Sequence, residues 1–179
     1  LGITTNDIRI LASNEILPDR HALYEQNFPD TRAFLGDIRD LRGEILRHVR
    51  ASQKSDELFL VYATPPCQGM SSNGAGRLKH EARLGNRSEI DERNRLVIPA
   101  MQLIDELRPL WVLFENVPGM ERTVIKDELG NDAHILDYIA TRLGPEYSGW
   151  AEVIACSDFG IPQLRKRLIA IYTKDPRGI

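Results

Sequence analysis

The chain has 179 residues, enough for one domain to bury roughly two-thirds of the surface its unfolded form would expose, so a true hydrophobic core is expected. Hydrophobic residues make up 42% and charged residues 27%, with no long Pro, Gly or Ser tract, which excludes a disordered or low-complexity class. A net charge of −3 excludes a protein that coats nucleic acid indiscriminately, and two cysteines exclude a disulfide framework and point to a reducing, cytoplasmic setting.

Short apolar runs alternate with longer amphipathic ones along the chain, the pattern of β-α units stacked into a largely parallel sheet. No apolar run reaches the roughly 18 residues of a membrane span, so no membrane partner is expected. Strands are predicted at Ile8–Asn14, Arg32–Leu35, Leu58–Ala63, Trp111–Glu115, Gly149–Ala155 and Arg167–Tyr172. Helices are predicted at Asp19–Asn27, Asp40–Ser52, Asn94–Leu107 and His134–Leu143. The third is the clearest, because Leu96, Ala100, Leu103, Ile104 and Leu107 recur at helical spacing and Pro109 marks its stop. The run Leu58–Ala63 is continuously apolar, which predicts a central strand covered on both faces. From Thr64 to Ile90 there is almost no apolar periodicity, and four glycines scatter among Ser, Asn and basic residues, so residues 64–90 read as a mobile functional loop. It leaves the carboxyl end of the most apolar strand, the edge where open α/β sheets bind ligands.

Three segments at such edges carry chemistry. Thr64-Pro-Pro-Cys-Gln68 starts the loop with a cysteine whose approach is fixed by two prolines. A nucleophilic role for Cys67 needs nearby positive charge or removal of its proton in place; a buried, inert thiol is the competing reading. Phe114-Glu-Asn-Val-Pro-Gly119 ends the next strand on a carboxyl group, costly unless paired or used. Glu115 in a dry pocket could hand a proton or hydrogen bond to a heterocycle nitrogen, or with Asn116 it could merely organise the turn. Gln163-Leu-Arg-Lys-Arg167 opens the last strand with both arginines aimed the same way, suited to phosphate and carbonyl oxygens, or simply solvated. Cys156 reads as core packing.

In this order and at these strand ends, Pro65-Pro-Cys-Gln68, Glu115-Asn-Val117 and Gln163-Leu-Arg-Lys-Arg167 resemble the nucleophile, glutamate and Gln-x-Arg-x-Arg motifs of the DNA (cytosine-5) methyltransferase family. Asn14-Glu-Ile16 resembles the family's acidic ribose-binding position and Gly36-Asp-Ile38 its adenine-contacting one; Arg93-Asn-Arg-Leu96 resembles the helix start whose leucine lines the cofactor pocket.

The resemblance implies an α/β, doubly wound, mostly parallel sheet, a Rossmann-like S-adenosylmethionine-dependent methyltransferase core with its last strand antiparallel. It implies that residues 1–179 form a single catalytic core truncated at both ends, before it the family's glycine-rich cofactor turn and after it the target-recognition region. Implied catalytic residues are Cys67, Glu115, Arg165 and Arg167. Implied cofactor contacts are Glu15, Ile16, Asp37, Ile38, Pro66 and Leu96. Gln68, Ser71, Gly74, Asn116, Val117 and Gln163 are implied to face the substrate. The implied cofactor is S-adenosylmethionine, with no metal. The implied partner is double-stranded DNA, with a cognate restriction endonuclease in a restriction-modification system as a further expected partner and a cytoplasmic, nucleoid-associated location. A tRNA methyltransferase of the same family, or a non-catalytic nucleic-acid-binding relative, are the alternatives these residues leave open.

Overall fold

The computed structural model describes residues 8–54, 57–66 and 92–178. The chain forms two compact units, residues 1–57 and 58–179. In the first, strand β1 (Ala12–Glu15) pairs in parallel with β2 (Arg32–Leu35), joined by helix α1 (Pro18–Asn27) and followed by α2 (Ile38–Ser52). Pro18 opens α1 where a missing N–H costs nothing, and Asp37 caps α2 by accepting the Arg39 N–H at 2.8 Å. Ile45, Leu46 and Val49, spaced to share one helix face, are buried along with Ala33 and Phe34 of β2. His48 meets the Phe34 ring edge-on and reaches the Leu11 carbonyl with Nε2 at 3.1 Å.

The second unit is a four-stranded sheet in the order β3-β4-β8-β7, built from β3 (Leu60–Ala63), β4 (Trp111–Asn116), β7 (Ser148–Ala155) and β8 (Lys166–Thr173). The β3–β4 pairing is parallel, whereas β4–β8 and β8–β7 are antiparallel, so the last strand runs as expected and the sheet is mixed. Alternation sends Val112, Phe114 and Asn116 of β4, with Leu168, Ala170 and Tyr172 of β8, to one buried face. There they form one core with Val97, Ile98, Met101 and Ile104 of α3 (Val97–Leu107) and Ile135, Ile139 and Leu143 of α4 (Ile135–Leu143). A 3₁₀ segment, Glu92–Leu96, leads into α3, where α-helix was expected from Asn94. Helix α3 stops where Arg108 turns left-handed at φ 43° ahead of Pro109.

Two features depart from expectation. Among the described residues β3 has a neighbour on one side only, and Phe59, Leu60 and Tyr62 are 53%, 41% and 59% exposed. The central strands of this sheet are β4 and β8, because β8 inserts between β4 and β7. A short hairpin, β5 (Val124–Lys126) with β6 (Asp132–His134), was not expected at all. Its turn is held by Asp127, whose Oδ1 accepts the Leu129 and Asn131 N–H groups. Cys156 is half-buried rather than a core residue.

Gly149 of β7 lies directly against the ring of Tyr172, a buried residue whose hydroxyl is pushed up to about 12 by that burial. A Cβ added there would sit 2.3 Å from Tyr172 Cδ1, well inside contact distance. Gly149→Ala is therefore expected to destabilise the fold by about 1–3 kcal/mol. The measurement is the urea midpoint, and adding Tyr172→Leu should recover part of the loss; equal midpoints for the wild type and Gly149→Ala would contradict this packing.

Candidate active site

In the first unit the strand ends present two acids. Glu15, the last residue of β1, accepts the Ile16 N–H at 2.8 Å and the Leu17 N–H at 3.0 Å on the same oxygen, Oε1. It thereby holds the turn between β1 and α1, and Oε2 takes no part in these bonds. One step along, Gly36 adopts φ 142°, a backbone region open to glycine, and its N–H donates to the Glu15 carbonyl at 3.0 Å. Asp37 follows at once. The Arg39 guanidinium grips its carboxylate through Nε at 2.9 Å and Nη2 at 2.5 Å and, with the Arg39 N–H, holds its carboxyl below the usual carboxylate range. Ile16 is exposed in the turn after β1, and Ile38 is half-buried at the first position of α2. Two carboxylates beside two isoleucines suit a ligand carrying a vicinal diol, an exocyclic amine and a flat apolar ring, the chemistry of an adenosine.

In the second unit the edge is built by the ends of β3 and β4 and the start of β8. Glu115 projects from the β4 face opposite the core. It pairs with Arg167, whose Nε lies 2.6 Å from Oε1, both side chains being largely but not fully buried at 27% and 20% exposure. The register explains the meeting: Glu115 faces Ile169, and Arg167 stands two residues earlier on the same face of β8. Arg165 and Gln163 are exposed in the turn before β8, so of the two expected arginines it is Arg167 that the structure brings to Glu115.

Asn116 differs from expectation. Alternation turns it to the core side, where it is 3% exposed, and both ends of its amide are engaged within the protein. Nδ2 donates to the Pro65 carbonyl at 2.9 Å and Oδ1 accepts the Val117 N–H at 2.8 Å. It cannot also face a substrate without breaking these bonds. Neither Pro65 nor Pro66 has an N–H to donate, and the Pro65 carbonyl finds its donor in the Asn116 side-chain amide. That fixes the backbone two residues ahead of position 67. Val117 and Leu96 are half-buried and Pro66 is exposed, whereas Cys67, Gln68, Ser71 and Gly74 lie outside the described residues.

Sequence reasoning passed over three neighbours. Tyr62, diagonal to Glu115 on the same sheet face, has its hydroxyl pushed up by partial desolvation and then by the Glu115 charge, although the residue as a whole is exposed. Arg39 and Asn14 brace the Asp37 turn. The available signal was only position: each stands within three residues of a residue already singled out.

The chain matches the sequence pattern of the C-5 cytosine-specific DNA methylases over residues 1–178. It belongs to that family. It is 33% identical over 170 residues to the Type II methyltransferase M1.HgaI of Avibacterium volantium, covering 93% of this chain and 44% of that protein. With M1.HphI of Haemophilus parahaemolyticus the identity is 31% over 176 residues, covering 98% of this chain and 42% of that one. The fold is also that of the Entamoeba histolytica methyltransferase EhMeth, with a TM-score of 0.63 at 17% identity over 93% of this chain and 45% of that one. The chain thus spans less than half the length of each of these two curated relatives. Membership in a methyltransferase family implies S-adenosylmethionine as cofactor, and the acids and isoleucines of the first unit are of the right chemistry for its adenosine part. Among the described residues no helix is long and apolar enough to cross a membrane.

The Asn116 tie is open to direct measurement. Asn116→Ala strands the Pro65 carbonyl and the Val117 N–H, at an expected cost of about 1–3 kcal/mol in unfolding free energy. Asn116→Asp should cost at least as much, since it sets a carboxylate oxygen against the Pro65 carbonyl. Urea denaturation of both variants checks this, and two unchanged midpoints would show that the tie contributes nothing.

Proposed function

We propose that this chain carries the catalytic core of an enzyme that methylates carbon 5 of a flipped-out cytosine in double-stranded DNA through a covalent adduct with Cys67. The observation that carries the reading is the Glu115–Arg167 pair at the edge of β4 and β8, beside the Asn116 bond to Pro65. Ring nitrogen 3 and the carbonyl oxygen of cytosine are neighbouring atoms on one edge of the base. A carboxyl group and a guanidinium held 2.6 Å apart can meet both at once, the first donating to the nitrogen and the second to the oxygen.

The residues then divide the work. The target base leaves the duplex stack, at a cost of a few kcal/mol, because its ring carbons are unreachable inside it. Glu115 and Arg167 orient the base. The Cys67 thiolate forms a bond to carbon 6, the electron pair of the 5,6 double bond moves to carbon 5, and the charge that reaches nitrogen 3 is met by the Glu115 proton. S-adenosylmethionine supplies the methyl group that carbon 5 receives. Loss of the carbon 5 proton to water and departure of the Cys67 thiolate, with the nitrogen 3 proton returning to Glu115, restore the aromatic ring. Glu15 is assigned to the cofactor ribose hydroxyls, Asp37 to the adenine amine, and Ile16 and Ile38 to the adenine face. Gln68, Ser71, Gly74, Gln163 and Arg165 are assigned to the DNA, with Arg165 on phosphate or supporting the pocket. The Type II names of the relatives support a place beside a cognate restriction endonuclease.

The test is covalent trapping. Full-length protein incubated with S-adenosylmethionine and duplex DNA containing 5-fluorocytosine should give a complex that survives denaturing electrophoresis, because fluorine at carbon 5 blocks the elimination. Cys67→Ser should give none. Absence of the complex in a protein shown by calorimetry to bind the cofactor would remove Cys67 as nucleophile, and methylation of tRNA but not duplex DNA in a side-by-side assay would reassign the substrate.

A further inference from the structure

Asn14 was assigned no role by its sequence, yet its side-chain amide makes two bonds across the parallel strand pair. Nδ2 donates to the Phe34 carbonyl at 3.1 Å and to the Gly36 carbonyl at 3.0 Å. Phe34 is its register partner, so the first bond lies straight across the ladder, and the second reaches beyond the end of β2. Gly36 is consequently held from β1 on both sides, its N–H by the Glu15 carbonyl at 3.0 Å and its own carbonyl by Asn14. The peptide unit from Gly36 to Asp37 therefore cannot move along or away from β1 without losing these bonds. Gly36 has no side chain of its own to brace it, and at its φ of 142° an added Cβ would press on Leu41 at 3.0 Å.

The consequence falls on two acids. Glu15 follows Asn14 directly and Asp37 follows Gly36 directly, so the bracket sets the spacing between the carboxylates. We propose that Asn14 is a positioning residue for the adenosine part of the cofactor, its side-chain amide fixing Asp37 relative to Glu15. This rests on the cofactor reading given above and deepens it. The second unit uses the same device independently: Asn116, also beside a glutamate, donates its side-chain amide to the carbonyl of a residue leaving the neighbouring parallel strand. In both places an asparagine amide on one parallel strand reaches a carbonyl just past the end of the other.

The amide is required as a donor. Asn14→Asp keeps the shape but turns a carboxylate toward two carbonyl oxygens, next to Glu15, whereas Asn14→Ala only removes the bonds. The experiment is calorimetric binding of S-adenosylhomocysteine and of 5′-methylthioadenosine to full-length wild type, Asn14→Ala and Asn14→Asp, with melting temperatures recorded alongside. Both ligands should lose affinity by the same factor, about tenfold for Asn14→Ala and more for Asn14→Asp. In steady state KM for S-adenosylmethionine should rise by that factor while kcat at saturation stays within about twofold. Unchanged affinities in either variant overturn the proposal, as does a loss seen with S-adenosylhomocysteine but not with methylthioadenosine, since the bracket acts only through the nucleoside. A variant that melts far below the wild type is judged by the other one. Wild type that binds neither ligand would instead sink the cofactor reading, and this proposal with it.

Discussion

The two-residue alternation at the end of β4 is the constraint on which the second unit depends. Val112, Phe114 and Asn116 point into the core and Leu113 and Glu115 point away, so the residue that tethers the sheet edge and the residue that pairs with Arg167 are consecutive. A carboxylate leaving an apolar strand is tolerable only with a partner, and Arg167 supplies one at 2.6 Å. An amide ending the buried face must be satisfied too, and Pro65 and Val117 do that. Shifting β4 by one residue would exchange the two roles, burying the acid against Met120 and the helices and turning the amide out.

Much of this was legible in the sequence because it is local. The strand over residues 32–35 and the ends of the helices at 27, 52, 107 and 143 stand where periodicity and Pro placed them. The acids at 15, 37 and 115 stand at strand ends or just past them, as expected. What escaped reading is what depends on partners far along the chain. The Asn116 bond joins residues 51 apart and the Asn14 bonds join residues 20 and 22 apart, so neither leaves a trace in local pattern. Whether β3 is central or outermost depends on which strands come to lie beside it, and apolar content alone does not decide that. The hairpin of β5 and β6 has three-residue strands, too short for alternation to register, although the Leu-Gly-Asn stretch between them was a turn signal in plain view.

Asparagine is well suited to the ends of parallel strands. In a parallel pair the hydrogen bonds slant along the strands, and the last carbonyl has no donor once the partner chain turns away. A carboxylate there would repel it, a hydroxyl offers one proton, and the amide offers two protons and an acceptor in one plane. Asn14 donates to two carbonyls two residues apart, while Asn116 uses one donor and its oxygen.

The antiparallel direction of β8 completes the logic of the edge. Pro65-Pro66 follow β3 and Glu115 lies near the end of β4, whereas Arg167 stands near the beginning of β8. In an all-parallel sheet the start of a strand lies at the end opposite to the carboxyl termini of its neighbours, and a guanidinium there would be a full strand length from Glu115. Six residues of β8 pair with β4 from Leu168 to Thr173, roughly 20 Å of strand. Running β8 backwards turns that separation into an ion-pair contact. Core packing is indifferent to the choice, because Leu168, Ala170 and Tyr172 would face the helices in either direction, so the polar edge is where the reversal has its effect.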